Sequence, residues 1–293
     1  MNTPHWIEQY YLKLWGLLGY VGLTLAAPYY LLRMLATPRY RPGLRERLTF
    51  LFPEKRQLLQ EGSYIWIHTV SVGELQAARP LLVELKRRFP AFKILVSTVT
   101  PTGQELARSL SDVDLSIYLP IDLYPLCRRV LAWTQPVCVL IMETELWPNF
   151  LRAAAGLNIP LFLINARLSD QSFRRYRKFK PLFAPLLALF HRILAQSDAD
   201  ADRFLQIGAP ASRVTPAGNI KFDAAAIPVV GARVLGAARE LIVQVHDDRQ
   251  ALLARVAEHA HGIPVVVHHA QLDFAADLDA VSFDGRLEPV DGL

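Results

Sequence analysis

Residues that could do acid–base chemistry follow a short apolar run near the first third of the sequence. Ser71, Gly73 and Glu74 come directly after the run at 64–70, and a stretch with helical periodicity follows them. A carboxylate in the first turn of a helix is stabilised by the helix dipole, and within reach of a hydroxyl group it can act as a general base. The glycine would let the backbone turn tightly between the strand and the helix. Glu74 is therefore a candidate base, and a helix-terminal residue without chemistry is the alternative.

A second acidic group follows the apolar run at 137–142. Glu143 and Glu145 are two residues apart there. Two carboxylates just past a strand are costly to bury without partners, so we expect a cation to pair with one of them. The alternative is structural, with Glu145 and Asn149 capping the following helix and Trp147 packing in the core. The pattern leaves both interpretations open.

Basic residues that could hold an anion lie further along the chain. Arg167 follows the apolar run at 161–165 and is the best-placed of them. Lys221, in the sequence GNIKFD, could face negative charge on a phosphate leaving group. A mixed basic and aromatic run suits a phosphate or lipid-headgroup surface, and a solvated helix face is its alternative. Its members are Phe173, Arg174, Arg175, Tyr176, Arg177, Lys178, Phe179 and Lys180.

Composition and motifs exclude several other classes of site. No His, Cys or Asp spacing suggests zinc, so we expect no metal and no cofactor, and His68 is interpreted as a core histidine. Cys127 and Cys138 are too few for a disulfide framework, and we predict reduced core residues. The net charge of +5 favours an acidic partner such as a phospholipid surface or a phosphorylated substrate. No nucleic-acid partner is expected, because no nucleic-acid-binding motif is present.

The elements that must position these residues alternate between strands and helices. Apolar runs predicted as strands are separated by amphipathic stretches predicted as helices, the first of them over Glu74–Phe89. This alternation predicts an α/β fold with a parallel sheet covered on both faces, as a Rossmann-like domain over residues 61–223. Ligands of such sheets bind at the carboxyl ends of the strands, where the candidate residues lie. The predicted strands are 64–70, 93–100, 116–120, 137–142 and 161–165.

The N-terminal part of the sequence carries a membrane signal. Residues 14–32 contain no charged side chain. A helix of this length is about long enough to cross a bilayer. Tyrosines lie near both ends and several arginines follow, so the positive-inside bias puts the bulk of the chain in the cytoplasm. We predict a membrane anchor at residues 1–36, spanning or deeply inserted, and a basic linker at 37–60. A helix lying in the membrane interface is the alternative, because Pro28 interrupts the segment.

Seven motifs carry a resemblance to a known family, in this order and spacing: HTVSVGELQAARPL, STVTPTGQELA, YLPIDLYP, VLIMETELWPNF, NARLS, AQSDADADRFLQIGA and GNIKFD. Together they resemble the N-terminal half of 3-deoxy-D-manno-octulosonic acid (Kdo) transferases, over roughly residues 10–223. The resemblance implies a two-domain glycosyltransferase of the GT-B type, with CMP-Kdo as donor and the lipid A precursor as acceptor. It also implies a location at the cytoplasmic face of the inner membrane and a transfer that inverts the anomeric centre.

The resemblance implies roles for individual residues as well. The base of the family falls on Glu74, and the residues that stabilise the transition state fall on Glu143 and Lys221. Five further residues are expected to bind substrate because of their positions at the strand ends: Ser71, Gly73, Glu145, Asn149 and Arg167.

The resemblance weakens after Asp223. The second domain of the family carries the CMP-binding residues, including a Pro-Arg pair and an Asn-x-x-Glu stretch, and residues 224–293 contain neither. We expect this segment to be a shortened remnant of the C-terminal domain. The alternative function is therefore a catalytically incompetent membrane protein that binds the acceptor.

Overall fold

Strands and helices alternate through residues 43–220, which are the residues that the computed structural model describes. The strands are β1 (Tyr64–His68), β2 (Lys93–Thr98), β3 (Leu115–Tyr118), β4 (Cys138–Met142), β5 (Leu161–Ala166), β6 (Arg192–Ala195) and β7 (Val214–Pro216). The helices are α1 (Leu44–Arg47), α2 (Pro53–Glu61), α3 (Val72–Arg88), α4 (Pro101–Ser109), α5 (Tyr124–Thr134), α6 (Pro148–Gly156), α7 (Asp170–Lys178), α8 (Lys180–Leu187) and α9 (Asp198–Gln206), and a 3₁₀ turn covers Ala211–Arg213.

The seven strands form one sheet in the order β3-β2-β1-β4-β5-β6-β7. Every neighbouring pair is parallel. The predicted α/β fold with a parallel sheet is confirmed. The chain order reverses between β1 and β4, because β2 and β3 extend the sheet on one side of β1 and β4 to β7 extend it on the other.

The central strands are apolar on both faces because helices cover both. Every residue of β1, β4 and β5 is buried. Trp66 of β1 is fully buried and meets the ring of Phe150 edge-to-face, with ring centroids 5.3 Å apart. Cys127 and Cys138 are buried and free, in agreement with their prediction as core residues. Continuous apolar runs of this kind are the sequence pattern of a parallel sheet rather than of a sheet with one wet face.

The helices begin with the residues that favour helix starts. Ser71, Thr100, Ser169 and Ser197 are N-caps whose side chains accept a hydrogen bond from the backbone three residues later. Pro101 and Pro148 stand at the first helical position of α4 and α6, where a missing N–H costs nothing. These capping and proline residues determine where each helix begins and therefore where the loop after each strand ends. The candidate residues lie in or next to these loops, at one edge of the sheet.

Residues 43–61 pack against the sheet. Leu59 of α2 is fully buried in the core, and Glu46 of α1 accepts a hydrogen bond from the backbone N–H of Tyr118 at 2.8 Å. Gly43 adopts a left-handed φ of 84° against the Tyr118 ring, with which an added Cβ would overlap. Part of the stretch predicted as a basic linker therefore folds onto the domain.

Several predicted segments lie outside the described residues. They are the membrane anchor at 1–36, the first six residues of the linker, Lys221 with the rest of the GNIKFD motif after Ile220, and the segment 224–293. Between residues 43 and 220, no helix combines the length and the apolarity that crossing a membrane requires.

Candidate functional site

The central strands bring the acidic candidates to one edge of the sheet. β1 and β4 pair from Ile65–Cys138 to His68–Ile141, so the residues after them share that edge. Glu74 follows β1 and Glu143 follows β4. This edge is also the point at which the strand order reverses, and open parallel sheets bind their ligands at such a point.

Glu74 lies at the start of α3 with its carboxylate turned back toward the preceding loop. Its Oε2 accepts a hydrogen bond from the backbone N–H of Val70 at 2.7 Å, and its Oε1 accepts one from the Ser71 hydroxyl at 3.1 Å. This arrangement is close to a capping box. The structure therefore gives Glu74 a capping contact and a position at the ligand edge together.

Gly73 has a different local role from the one its sequence suggested. It is the second residue of α3, which begins two residues before Glu74, and its φ lies outside the left-handed region. The prediction of a tight turn at Gly73 is wrong, because the turn is made before the helix. An added Cβ would meet only the Ser71 Oγ, at 3.9 Å. Its lack of a side chain therefore leaves the helix N-terminus open to a ligand.

Glu143 is paired with Arg167, so a cation does pair with one of the two carboxylates. The Arg167 Nε lies 3.5 Å from the Glu143 Oε2. The Glu143 side chain is only 18% exposed, whereas that of Arg167 is 57% exposed. The Thr144 hydroxyl holds the two loops together, because it donates to the backbone carbonyl of Arg167 and accepts from its N–H. The ends of β4 and β5 are thus fixed side by side, with Arg167 facing solvent.

The backbone of Glu143 is in the left-handed region, with a φ of 56°. This conformation is uncommon for residues other than glycine, asparagine and aspartate, and it costs free energy unless the surroundings hold it. Here the Glu143 N–H donates to the backbone carbonyl of Ile164 at 2.9 Å. Such strain concentrates at functional sites, and at Glu143 it aims a carboxylate out of the strand end.

Glu145 completes a group of three carboxylates. Burial, followed by the negative charges of Glu74 and Glu143, raises the pKa of Glu145 to about 7. Burial and the charge of Glu145 raise the pKa of Tyr176, so this tyrosine of α7 lies near Glu145. Within the described range Glu145 has no ion-pair partner. The site therefore holds one carboxyl group that takes up a proton near neutral pH.

The raised pKa of Glu145 predicts a pH-dependent effect on stability. A carboxyl group with a pKa of about 7 in the folded state and 4.5 in the unfolded state stabilises the protein most below pH 4.5, and this contribution is lost as the pH rises through about 7. We expect Glu145→Gln to increase the free energy of unfolding at pH 8, by about 1 kcal/mol after allowing for solvent screening of this partly exposed group. Little change is expected at pH 5. Urea unfolding at both pH values measures the difference.

Glu54→Gln is the control for this experiment, because Glu54 is exposed on α2. It should change stability equally little at both pH values. An effect of Glu145→Gln that is the same at pH 5 and pH 8 would show that the carboxyl group does not titrate near neutrality.

The helix after Glu145 is capped by a residue that the sequence analysis missed. The Asp122 carboxylate, from the loop after β3, accepts from the backbone N–H groups of Asn149 at 3.2 Å and Phe150 at 2.8 Å. The Asn149 amide donates to the backbone carbonyl of Asp122 at 2.8 Å. The alternative in which Glu145 and Asn149 cap α6 is therefore wrong. Asn149 is almost fully buried in this contact, and its predicted role in substrate binding stays a prediction.

Two further residues behind the site carry polar groups in buried positions. Burial lowers the pKa of His68 to about 4, and its Nδ1 lies 2.9 Å from the Ser97 hydroxyl. His68 is thus a core histidine, as predicted. Asn165, at the end of β5, accepts from the backbone N–H of Ile220 at 3.2 Å. Sequence reasoning missed Asn165, although it fixes the residue before Lys221 to the edge at which Glu143 lies.

The basic run occupies the outer face of α7 and the start of α8. Its inner face is aromatic, and Tyr176 stacks on Phe183 with ring centroids 4.1 Å apart. None of its basic side chains forms an ion pair with another residue in the range 43–220. They are Arg174, Arg175, Arg177, Lys178 and Lys180.

The charges of α7 differ from those of α3, although both interpretations of the run stay open, because its basic residues are exposed. On α3 Arg87 and Arg88 both pair with Glu84, which is the usual state of a solvated charged face. The basic side chains of the α7 run instead form no ion pair with a carboxylate of residues 43–220. Tyr176 brings α7 near Glu145, so these cations flank the acidic site, where they could hold an anionic ligand.

No group of three or more His, Cys, Asp or Glu side chains in residues 43–220 is arranged to hold a metal ion. The fold and the site thus define an α/β protein with a ligand edge at the reversal point of an open parallel sheet, lined by carboxylates and flanked by a basic helix.

Comparison with known proteins identifies the family. The sequence model of 3-deoxy-D-manno-octulosonic-acid transferase (kdotransferase) matches residues 42–224. The chain is 37% identical over 188 residues to the 3-deoxy-D-manno-octulosonic acid transferase of Haemophilus influenzae, covering 64% of this chain and 43% of that protein. It is 38% identical over 167 residues to the enzyme of the same name from Bordetella pertussis, covering 55% and 38%. The chain belongs to the Kdo transferase family.

The match covers only part of these relatives, since the chain spans less than half of the length of each. Among solved structures, UDP-GlcNAc 2-epimerase from Neisseria meningitidis matches with a TM-score of 0.44 and 18% identity, over 56% of this chain and 49% of that one.

Proposed function

We propose that this chain carries the acceptor-binding and base-bearing half of a glycosyltransferase that moves Kdo from CMP-Kdo to the lipid A precursor. One observation carries the proposal: in a member of the Kdo transferase family, Glu74 and Glu143 come together at the reversal point of the sheet. Membership of the Kdo transferase family supports Kdo as the sugar and glycosyl transfer as the reaction class. The donor nucleotide, the acceptor and the two-domain GT-B architecture belong to the proposal.

In the proposed reaction Glu74 accepts the proton of an acceptor hydroxyl group. The hydroxyl oxygen forms a bond to the anomeric carbon of Kdo while the bond from that carbon to the CMP phosphate breaks, and CMP leaves with the electron pair. Because the attack comes from the face opposite the leaving group, a single displacement inverts the anomeric centre and one base suffices. The developing positive charge on the sugar is stabilised by the Glu143 carboxylate, and Lys221 would neutralise the departing phosphate.

The substrates proposed here are strongly anionic, and the charges around the site support that choice. Kdo carries a carboxylate, CMP carries a phosphate, and the lipid A precursor carries phosphates of its own. Arg167, 57% exposed beside Glu143, and the unpaired cations of α7 and α8 could hold such groups. We assign the α7 cations to the acceptor, because Tyr176 brings that helix near Glu145.

We also propose that the chain works at the cytoplasmic face of the inner membrane. The charge-free residues 14–32 would anchor it, and the arginines that follow would lie against the anionic lipid surface.

A second candidate function is acceptor binding without transfer. It rests on the same carboxylate edge, where Glu74, Glu143 and Glu145 lie together and could contact an acceptor whether or not a donor is bound. The two functions share the acceptor and differ in whether CMP-Kdo is bound.

Transfer and binding measured on the same preparation test both candidates. Purified, detergent-solubilised full chain is given CMP-Kdo and tetra-acylated lipid A precursor, and the product is followed by mass spectrometry. Calorimetric titration of the precursor into the protein measures acceptor binding. Transfer supports the first function. Saturable acceptor binding without transfer supports the second, and the lack of both contradicts the proposal.

A further inference from the structure

A cavity that takes no part in the proposed reaction lies at the far end of the sheet. Its volume is about 260 Å³. It is formed where α1, α2 and the segment between them meet Tyr118 at the end of β3 and Arg108 in the last turn of α4. β3 is the edge strand, so β2 separates this cavity from β1 and its site.

Positive charge dominates the polar part of the cavity wall. Arg45, Lys55 and Arg108 line it together with a single carboxylate, that of Glu46. Lys55 pairs with Glu46 at 2.8 Å, which leaves the wall with excess positive charge. Neither Arg45 nor Arg108 has an ion-pair partner in the part of the chain that the structure describes.

The positive groups are close enough to oppose one another. Burial lowers the pKa of Lys55, and although the charge of Glu46 raises it, the charge of Arg108 lowers it further. An anion in the cavity would relieve this repulsion. A phosphate suits the need because it accepts several charge-assisted hydrogen bonds at once.

The rest of the wall is apolar and open to solvent. Phe50 and Phe52 are 62% and 64% exposed, although they are large aromatic side chains. The Arg45 guanidinium lies over the Phe52 ring, 5.5 Å from its centroid. Exposed aromatic groups next to cations are the composition of a surface that meets lipid headgroups.

The size and place of the cavity also favour a lipid. Its volume is just below the roughly 300–1,000 Å³ of sites that enclose whole drug-sized ligands, so it fits a headgroup and the start of a chain. Gly43, in its wall, is joined by residues 33–42 to the charge-free stretch 14–32. Ten residues span at most about 35 Å, so the cavity lies within that distance of the predicted anchor.

We propose that this cavity binds the phosphate of an anionic membrane lipid. Arg45, Lys55 and Arg108 hold the phosphate, and Phe50 and Phe52 contact the adjoining acyl part. The inference concerns none of the groups of the transfer reaction, but its choice of a lipid rests in part on the membrane anchor of the proposed function. A failure of Kdo transfer would leave it standing, because lipid binding is measured separately.

The test compares three probes on the full chain in a neutral detergent. The probes are dioctanoyl phosphatidic acid, dioctanoyl phosphatidylcholine and inorganic phosphate, and calorimetric titration measures the affinity of each. We expect saturable binding of phosphatidic acid, much weaker binding of phosphatidylcholine, and weak binding of inorganic phosphate. Arg108→Gln should weaken phosphatidic acid binding about tenfold or more, because a charge-assisted contact is lost.

Two variants control this test. Arg87→Gln removes the same charge on α3, where Arg87 pairs with Glu84 away from the cavity, and should leave the affinity unchanged. Phe52→Ser should weaken binding of phosphatidic acid but not that of inorganic phosphate. Arg45→Gln replaces Arg108→Gln if the latter lowers the melting temperature.

Three results would overturn the proposal. Equal weakening by Arg87→Gln and Arg108→Gln would mean attraction to net charge alone. Phosphate binding as tight as that of phosphatidic acid, unchanged by Phe52→Ser, would mean a site for the free ion. Absence of phosphatidic acid binding would mean that the cavity is not a lipid site. The exposed phenylalanines would then be explained by contact with a protein partner.

Discussion

Glu74→Gln is expected to lower kcat for Kdo transfer by about 10²- to 10⁴-fold, while acceptor affinity stays nearly constant. The amide oxygen of glutamine can still accept the hydrogen bond that the Val70 N–H donates to Glu74. It cannot take up the proton of a hydroxyl group at neutral pH, so the variant removes general base catalysis and keeps the cap. Kinetics under saturating CMP-Kdo, together with titration of the lipid A precursor, measure both quantities.

Ser71→Ala is the matched control for the capping role of Glu74. It removes the N-cap hydroxyl, which accepts from the Glu74 N–H and donates to the Glu74 carboxylate. We expect it to lower the free energy of unfolding by about 1 kcal/mol and to lower kcat far less than Glu74→Gln does. Turnover by Glu74→Gln close to that of the unchanged protein would assign Glu74 to helix capping alone.

The first five strands of the sheet were predictable, whereas β6 and β7, which contain exposed residues, were not among the predicted strands. A buried parallel strand needs no polar face, so β1, β4 and β5 stand out from the amphipathic helices between them. Parallel pairing then puts the residues after each strand at one edge. For this reason the sequence predicted that Glu74 and Glu143 lie at the same edge of the sheet. It also predicted that a cation pairs with one of the carboxylates after β4.

Contacts between distant parts of the chain were not predictable from local pattern. Asp122 caps α6 from 27 and 28 residues away, and a local pattern identifies capping residues only next to the helix that they cap. Glu145 and Asn149, which are local to α6, were proposed as its caps for that reason. The same limit hid Asn165, whose partner Ile220 is 55 residues later in the chain.

The N-terminal helices show how composition can conceal packing. The stretch around α1 and α2 is rich in arginine and reads as a linker, yet Leu59 is fully buried. The Arg47 guanidinium donates to the carbonyl of Val99 and lies over the Tyr118 ring, 4.5 Å from its centroid. The charge of Arg47 therefore interacts with a carbonyl group and an aromatic ring rather than with solvent. A charge count alone does not distinguish these two uses of arginine.

Glu143→Gln is expected to lower kcat by about 10²- to 10³-fold with a small change in KM. The carboxylate would stabilise positive charge that develops on the sugar only in the transition state, so its loss affects kcat rather than binding. Glutamine has the same size and can keep the left-handed backbone of Glu143, whose φ is 56°. The expected loss is therefore due to charge and not to a change of backbone. Steady-state kinetics with varied acceptor separate kcat from KM.

Arg167→Gln distinguishes this role from a structural one. If Glu143 served only to pair with Arg167 at 3.5 Å, removing either partner would have the same effect. A charge that acts on the sugar predicts an unequal result, in which Arg167→Gln mainly raises KM because the exposed guanidinium contacts an anionic substrate. Thr144→Val, which removes the hydroxyl that holds the two loops together, should change both constants only slightly. Equal losses of kcat in the Glu143 and Arg167 variants would contradict a catalytic role for Glu143, because the ion pair would then be the feature on which turnover depends.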